Sequence, residues 1–133
     1  MLKGLDFLHS HSMAHLDLKL ENFVFDDYFN LKLIDLAFCE NFETLIDHFR
    51  GSESYVAPEI LSTTKATYKV TRSGKKVGEH IVYRGEKADI FSLGVILFTM
   101  FFGQVPFEAD YDKDQFFPFA TSGNFEKAEI FFS

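Results

Sequence analysis

Apolar and polar positions follow two different periods along the chain, and the changes of period divide it into elements. Leu2, Leu5, Phe7 and Leu8 recur at near-helical spacing, so residues 1–12 read as an amphipathic helix. Residues 13–22 are too polar for a buried element and read as a loop. Phe23, Val24 and Phe25 form a short apolar run ended by Asp26 and Asp27. Leu31, Lys32, Leu33 and Ile34 alternate after the turn former Asn30, and the two runs predict a small hairpin. Residues 35–58 keep no period and form a long loop, of the kind that usually serves function. Pro58 suits the first position of a following helix.

Residues 63–85 change character. Thr67-Tyr68-Lys69-Val70-Thr71 and His80-Ile81-Val82-Tyr83 flank the run 72–79, which contains Gly74, Lys75 and Lys76. That predicts a β-hairpin with a basic, glycine-containing tip, an appendage to the main body. Residues 86–102 form a strongly hydrophobic helix, capped by Gly103 and stopped by Pro106. Residues 110–133 are polar and aromatic and predict no particular element. No repeat or low-complexity tract is present. The expected fold class is mainly α with a small β component.

Composition narrows the functions. The 133 residues are 47% hydrophobic and 25% charged, as in a globular domain. A formal charge of -7 argues against a general nucleic-acid binder, which needs a basic surface. The longest apolar run, from Ile90 to Phe102, includes Ser92 and Thr99. It falls short of the roughly 20 residues that span a bilayer, so a core helix is expected and no membrane partner. Lys3 interrupts the apolar start, so no signal peptide is expected. The single cysteine, Cys39, has no internal disulfide partner and suits a reducing, cytoplasmic setting.

Four short segments carry the chemistry. They are His15-Leu16-Asp17-Leu18-Lys19-Leu20-Glu21-Asn22, then Asp35-Leu36-Ala37, then Gly51-Ser52-Glu53-Ser54-Tyr55-Val56-Ala57-Pro58-Glu59, then Gly85-Glu86-Lys87-Ala88-Asp89-Ile90-Phe91-Ser92-Leu93-Gly94-Val95. Their order, with an 18-residue step from Asp17 to Asp35, resembles the protein kinase family. The first resembles the catalytic loop, the second the metal-binding Asp-Phe-Gly, the third the end of the activation segment, the fourth the start of a central helix. The resemblance implies an incomplete C-terminal lobe over residues 1–133. Its parts are a catalytic loop at 13–22, an activation segment at 35–59, an inserted hairpin near 63–85 and a central helix at 86–102. Gly94-Val95-Ile96-Leu97-Phe98 and Gly103-Gln104-Val105-Pro106-Phe107 are similar to the calcium/calmodulin-dependent group.

What the resemblance implies for each residue follows from phosphoryl transfer, in which charge gathers on the phosphoryl oxygens and a hydroxyl is held in line. Asp17 orients the substrate hydroxyl and accepts its proton, and Lys19 neutralises the moving phosphoryl group. Asn22 and Asp35 supply hard oxygens to Mg2+. Lys19, Glu21, Asn22, Val24 and Asp35 meet ATP, with Val24 beneath the adenine. Ser52 braces Asp17. A lysine two residues after the catalytic aspartate marks the serine/threonine type, so the implied partner is a protein substrate offering Ser or Thr. His15 is implied to pack against Leu36, Asp89 to bond the catalytic-loop backbone, and Glu59 to form half of a buried ion pair. A helical zinc pair of His11 and His15, joined by His9, lacks a partner acid or cysteine and is disfavoured. A solvated turn explains Lys75 and Lys76 better than an acidic partner does.

The chain departs from the family in several places. Leu16 stands where many kinases carry the arginine that receives an activation-loop phosphate, so activity independent of such a phosphate is expected. Ala37 stands for a glycine, which predicts a loop that flips less easily. Thirty positions separate Glu59 from Asp89, more than the compact connection needs. No segment resembles the glycine-rich loop, the phosphate-contacting lysine strand or the hinge. Two readings stay open: a serine/threonine kinase catalytic region, or an inactive fragment or pseudokinase serving as a binding or regulatory module. Residues 1–133 alone are expected to transfer no phosphate.

Overall fold

The computed structural model describes residues 1–64, 68–70, 76–78 and 82–107. In chain order the elements are α1 (Leu2–Ser10), β1 (Met13–Ala14), β2 (Phe23–Phe25), β3 (Leu31–Leu33), β4 (Glu40–Asn41), α2 (Pro58–Thr64), β5 (Tyr68–Val70), β6 (Lys76–Gly78) and α3 (Gly85–Phe102). A 3-10 turn at Leu20–Asn22 leads into β2. The described part is helices with three small two-stranded sheets, of which the hydrophobic periods predict the β2–β3 and β5–β6 hairpins but not the β1–β4 pair.

The helix and hairpin expectations hold with local corrections. α1 buries Leu5, but Leu2 and Phe7 face outward, so its buried face is narrower than its apolar spacing implies. β2 and β3 pair antiparallel, Phe23 opposite Leu33 and Phe25 opposite Leu31. Asp26 closes their turn: its Oδ1 accepts the Tyr28 and Asn30 N–H groups at 3.0 and 2.8 Å. Pro58 opens α2 as expected. α3 starts at Gly85, one residue early, and ends on Gly103 in the left-handed conformation, whose N–H reaches Thr99 O.

Two expectations fail. Residues 13–22 are not a solvated loop: Met13–Ala14 forms β1, and Ala14, His15, Leu16, Asp17 and Leu18 are all buried. Polarity misleads there because the polar groups find partners inside. Residues 35–58 are likewise not wholly irregular, since Glu40–Asn41 forms β4 and pairs with β1, Met13 opposite Asn41. The appended hairpin exists, but its second strand is Lys76–Gly78, with Val70 opposite Lys76. The earlier register gives the shorter connection that hairpins favour. Tyr83, expected in that strand, instead bridges Ile46. His80, Ile81 and residues 110–133 lie outside the described residues.

Two apolar clusters form the core. One joins Ala14, Leu16, Ile46, Val56, Ala57, Ile60, Tyr83 and Ala88, and so unites four separate stretches of chain. The other joins Leu5, Leu18, Leu93 and Ile96 and seats α1 on α3. Between the clusters α3 presents Asp89 and Ser92 inward. Its other side leaves Ile90, Leu97, Met100 and Phe101 exposed, so α3 is not buried all round among the described residues. No described helix is long and apolar enough to cross a membrane.

Candidate functional site

The site is built on the turn from His15 to Asn22. Asp89, 1% exposed, holds it from α3: Oδ2 accepts the His15 N–H at 2.7 Å and Oδ1 accepts the Leu16 N–H at 2.8 Å. His9 of α1 adds a third contact, donating from Nε2 to Oδ2 at 2.9 Å. A buried carboxylate is costly unless its oxygens are filled, and these donors fill them. Leu16 lies at φ +66°, a region that costs a branched residue roughly 1–2 kcal/mol. The two charge-assisted bonds to the N–H groups that lead into that φ angle offset the strain.

His15 fixes the next step. Its ring is fully buried, with Nε2 donating to Ile34 O at 3.2 Å and Nδ1 accepting the Asp17 N–H at 3.2 Å. The proton therefore sits on Nε2. His15 is structural, as expected, and hydrogen bonds orient it. Leu36, its expected packing partner, is 54% exposed. His9, His11 and His15 do not come together as a metal centre, and no group of three or more His, Cys, Asp or Glu side chains among the described residues is placed to hold a metal ion.

Asp17 is the centre of a compact polar group. Its Oδ1 accepts Ser52 Oγ–H at 2.8 Å, and its Oδ2 accepts Lys19 Nζ at 2.7 Å. Lys19 Nζ also donates to Ser52 Oγ at 3.0 Å, closing a triangle of three side chains. Asn22 Nδ2 donates to Asp17 O at 2.8 Å and lies 3.4 Å from Oδ2. The Asp17 bond, and behind it the charges of Asp17, Glu21 and Asp35, raise the Lys19 pKa against the opposing effect of burial. Lys19 thus remains a cation beside a buried carboxylate.

The remaining expected residues lie around this group. Glu21 shares an open groove of about 590 Å3 with Lys19, Ser52, Glu53, Ser54 and Tyr55. Val24 is 39% exposed on β2, opposite Lys32. Asp35 is exposed and makes no side-chain bond to that triangle among the described residues; its Oδ1 accepts its own loop's Ala37 N–H at 3.4 Å. It is nonetheless tied in through the backbone, because Ile34 N–H donates to Asn22 O at 2.9 Å. Positive φ falls on Asp35 and not on Ala37, so the alanine that replaces glycine carries no strain.

α3 also places the far wall. Ser92 Oγ–H donates to Tyr55 O at 2.8 Å, and the turn before it is closed by Tyr55 and Val56 N–H groups on Ser52 O. Gly51 precedes that turn at φ +99°, where a Cβ would meet Leu16 O at 2.7 Å. Glycine is required there, and the close approach sets Ser52 beside Asp17. Glu59 is half-buried and lines a cavity of about 310 Å3 with Arg84 and Lys87. Sequence reasoning missed His9 and Tyr83; neither lies at a spacing that ties it to Asp89 or Ile46.

The arrangement can hold a nucleophile's hydroxyl at Asp17 and anionic charge at Lys19. It also offers hard oxygen ligands at Asn22 and Asp35. Residues 1–126 match the family model of the protein kinase domain. The chain is 33% identical over 116 residues to the serine/threonine-protein kinase KIN4 of Saccharomyces cerevisiae, covering 85% of this chain and 12% of that protein. It is 34% identical over 113 residues to the Drosophila melanogaster serine/threonine-protein kinase grp, covering 81% and 19%. With the Arabidopsis thaliana CBL-interacting serine/threonine-protein kinase 2 it shares 37% over 112 residues, covering 80% and 21%. The chain therefore spans about a fifth or less of the length of these relatives. The match across most of this chain, together with the Asp17–Lys19–Ser52 group, establishes that it belongs to the eukaryotic serine/threonine protein kinase family.

Proposed function

We propose that the chain is the catalytic region of the C-terminal lobe of a serine/threonine kinase, moving the γ-phosphate of ATP to a protein hydroxyl. Residues 13–22 are the catalytic loop, 35–59 the activation segment, and 85–102 the central helix. The observation that carries this reading is the Asp17 carboxylate, 4% exposed and gripped by Lys19 and Ser52. A merely solvated aspartate needs no such brace.

Asp17 keeps acceptor capacity for the substrate hydroxyl and takes its proton as the new bond forms. Ser52 fixes the carboxylate's rotation, and Lys19 lies within reach of charge arriving on the transferred group. Asn22 uses its Nδ2 on Asp17 O, which leaves its Oδ1 as the ligand end, and Asp35 offers an exposed carboxylate. That pair suits magnesium, which takes few protein oxygens and keeps its waters. Bound there, Mg2+ would neutralise phosphate charge. Glu21 and Val24 are assigned to the nucleotide side on the family resemblance. A cytoplasmic location belongs to the same reading, supported by the free thiol of Cys39.

The test is phosphoryl transfer from ATP to serine and threonine peptides by the protein at its full natural length. Asp17→Asn keeps the shape and removes the base, and is expected to lower turnover roughly 10²- to 10⁴-fold. Asp35→Asn is expected to raise the magnesium requirement. Equal turnover in wild type and Asp17→Asn would sink the proposal. Nucleotide binding without transfer would favour the alternative, an inactive binding module.

A further inference from the structure

The returning end of the inserted hairpin grips the activation segment. Tyr83 N–H donates to Ile46 O at 3.0 Å, and Ile46 N–H lies 3.4 Å from Tyr83 O, so the two residues form an isolated antiparallel bridge. Both are buried. The Tyr83 hydroxyl then reaches two residues further along the same segment and donates to His48 O at 3.2 Å. Burial pushes its pKa up to about 12, so the hydroxyl stays a donor at any physiological pH.

The grip continues beneath the segment. Ile46 and Tyr83 share one apolar cluster with Leu16 of the catalytic loop and Ala88 of α3. Gly85 faces the same cluster so closely that a Cβ would meet Ala14 Cβ at 2.5 Å and Leu16 Cδ2 at 3.1 Å. Downstream of His48, Arg50 pairs with Glu40 of β4 at 2.8 Å. Gly51 then crosses Leu16 O, and Ser52 delivers its hydroxyl to Asp17. A continuous chain of contacts therefore runs from Tyr83 to the Asp17 carboxylate, through backbone groups, apolar side chains and one ion pair.

We propose that Tyr83 is a positioning residue, a staple by which the hairpin's return holds the activation segment, and through it Ser52 on Asp17, in the ordered arrangement without phosphorylation. Leu16 makes the device apolar where an arginine would make it depend on an anion. What the held segment does rests on the kinase reading; whether it is held does not.

Limited trypsin digestion of the full-length protein reads the segment directly, at the Arg50–Gly51 bond. The unphosphorylated wild type is expected to resist cleavage there. Tyr83→Phe keeps the ring in the cluster and removes only the hydroxyl. It is expected to speed cleavage at that bond roughly three- to tenfold, the change in open population that one neutral hydrogen bond allows, with a melting temperature lower by about 4 °C at most. In the transfer assay the same variant is expected to raise the KM for the peptide and leave the KM for ATP alone, a split that general destabilisation would not produce. Hydrogen exchange in the wild type gives a readout that needs no variant: the Ile46 and Tyr83 amides are expected to exchange slowly. Cleavage at equal rates in both proteins, open-loop exchange at Ile46, or protection that appears only once Thr44 is phosphorylated would each overturn the staple. A protein that is protected at Arg50 but transfers no phosphate would keep the staple and lose the kinase reading.

Discussion

Asp89 Oδ1 accepts the backbone N–H of Leu16 at 2.8 Å while Leu16 sits at φ +66°, so a carboxylate on α3 holds the one positive-φ step of residues 13–22. The same carboxylate takes the His15 N–H. Position 89 thus sets the loop's shape, and through His15 Nδ1 and the Asp17 N–H it also sets the direction of Asp17.

Asp89→Asn should therefore do more harm than its small change in shape suggests. An amide has one acceptor oxygen, so at least one of the two buried N–H groups loses its charged partner and faces an NH2. The expected loss is on the order of 2 to 4 kcal/mol. Urea denaturation checks it through a lower midpoint at unchanged slope. Wild-type stability in Asp89→Asn would mean that the loop keeps its shape without the carboxylate.

Lys19 makes stability depend on alkaline pH. Its pKa is raised above the ordinary 10.5, first by the hydrogen bond to Asp17, with nearby carboxylate charges adding and burial opposing. The folded protein binds that proton more tightly than the unfolded chain does. The contribution is therefore complete below pH 10.5 and disappears as pH rises through the elevated value. Lys19→Met should be less stable than wild type at neutral pH, and the gap should close above pH 10.5. Unfolding midpoints of both proteins at matched pH test this; a gap that stays constant would show that Lys19 acts by packing alone.

The Asp17 group stood out in the sequence because its members are close together. Asp17, Lys19 and Asn22 lie within six positions, and a loop that serves phosphoryl transfer needs those types in that order. Ser52 and Asp89 became legible only through the family resemblance. The burial of Ala14 to Leu18 was not legible, because their backbone partner is a side chain more than 70 positions away. The same distance hid His9, which meets Asp89 across 80 positions. Tyr83 was misassigned for a related reason. Its β-rich neighbours fit a hairpin strand, but the actual partner, Ile46, lies in a stretch with no period. Local pattern identifies what a residue can pair with, and tertiary packing chooses among the candidates.

Leu16 separates the two possible ways of ordering the segment. Its side chain, 4% exposed, belongs to one apolar cluster with Ile46, Val56, Ala57, Ile60, Tyr83 and Ala88. An arginine placed there brings a charge among apolar side chains, while the buried carboxylates of Asp89 and Asp17 are already occupied, the first by His15, Leu16 and His9, the second by Ser52 and Lys19. An unpaired buried charge costs several kcal/mol, against a domain stability of roughly 5 to 15 kcal/mol. Leu16→Arg is therefore expected to lose about 3 kcal/mol or more, even though it restores the residue that many kinases carry. Leu16→Met conserves volume and is expected to lose less than about 1.5 kcal/mol. Chemical denaturation of the two variants side by side separates charge from shape. If Leu16→Arg matches Leu16→Met, the arginine has swung out to solvent, and the apolar cluster is not closed over Leu16 as its burial there requires.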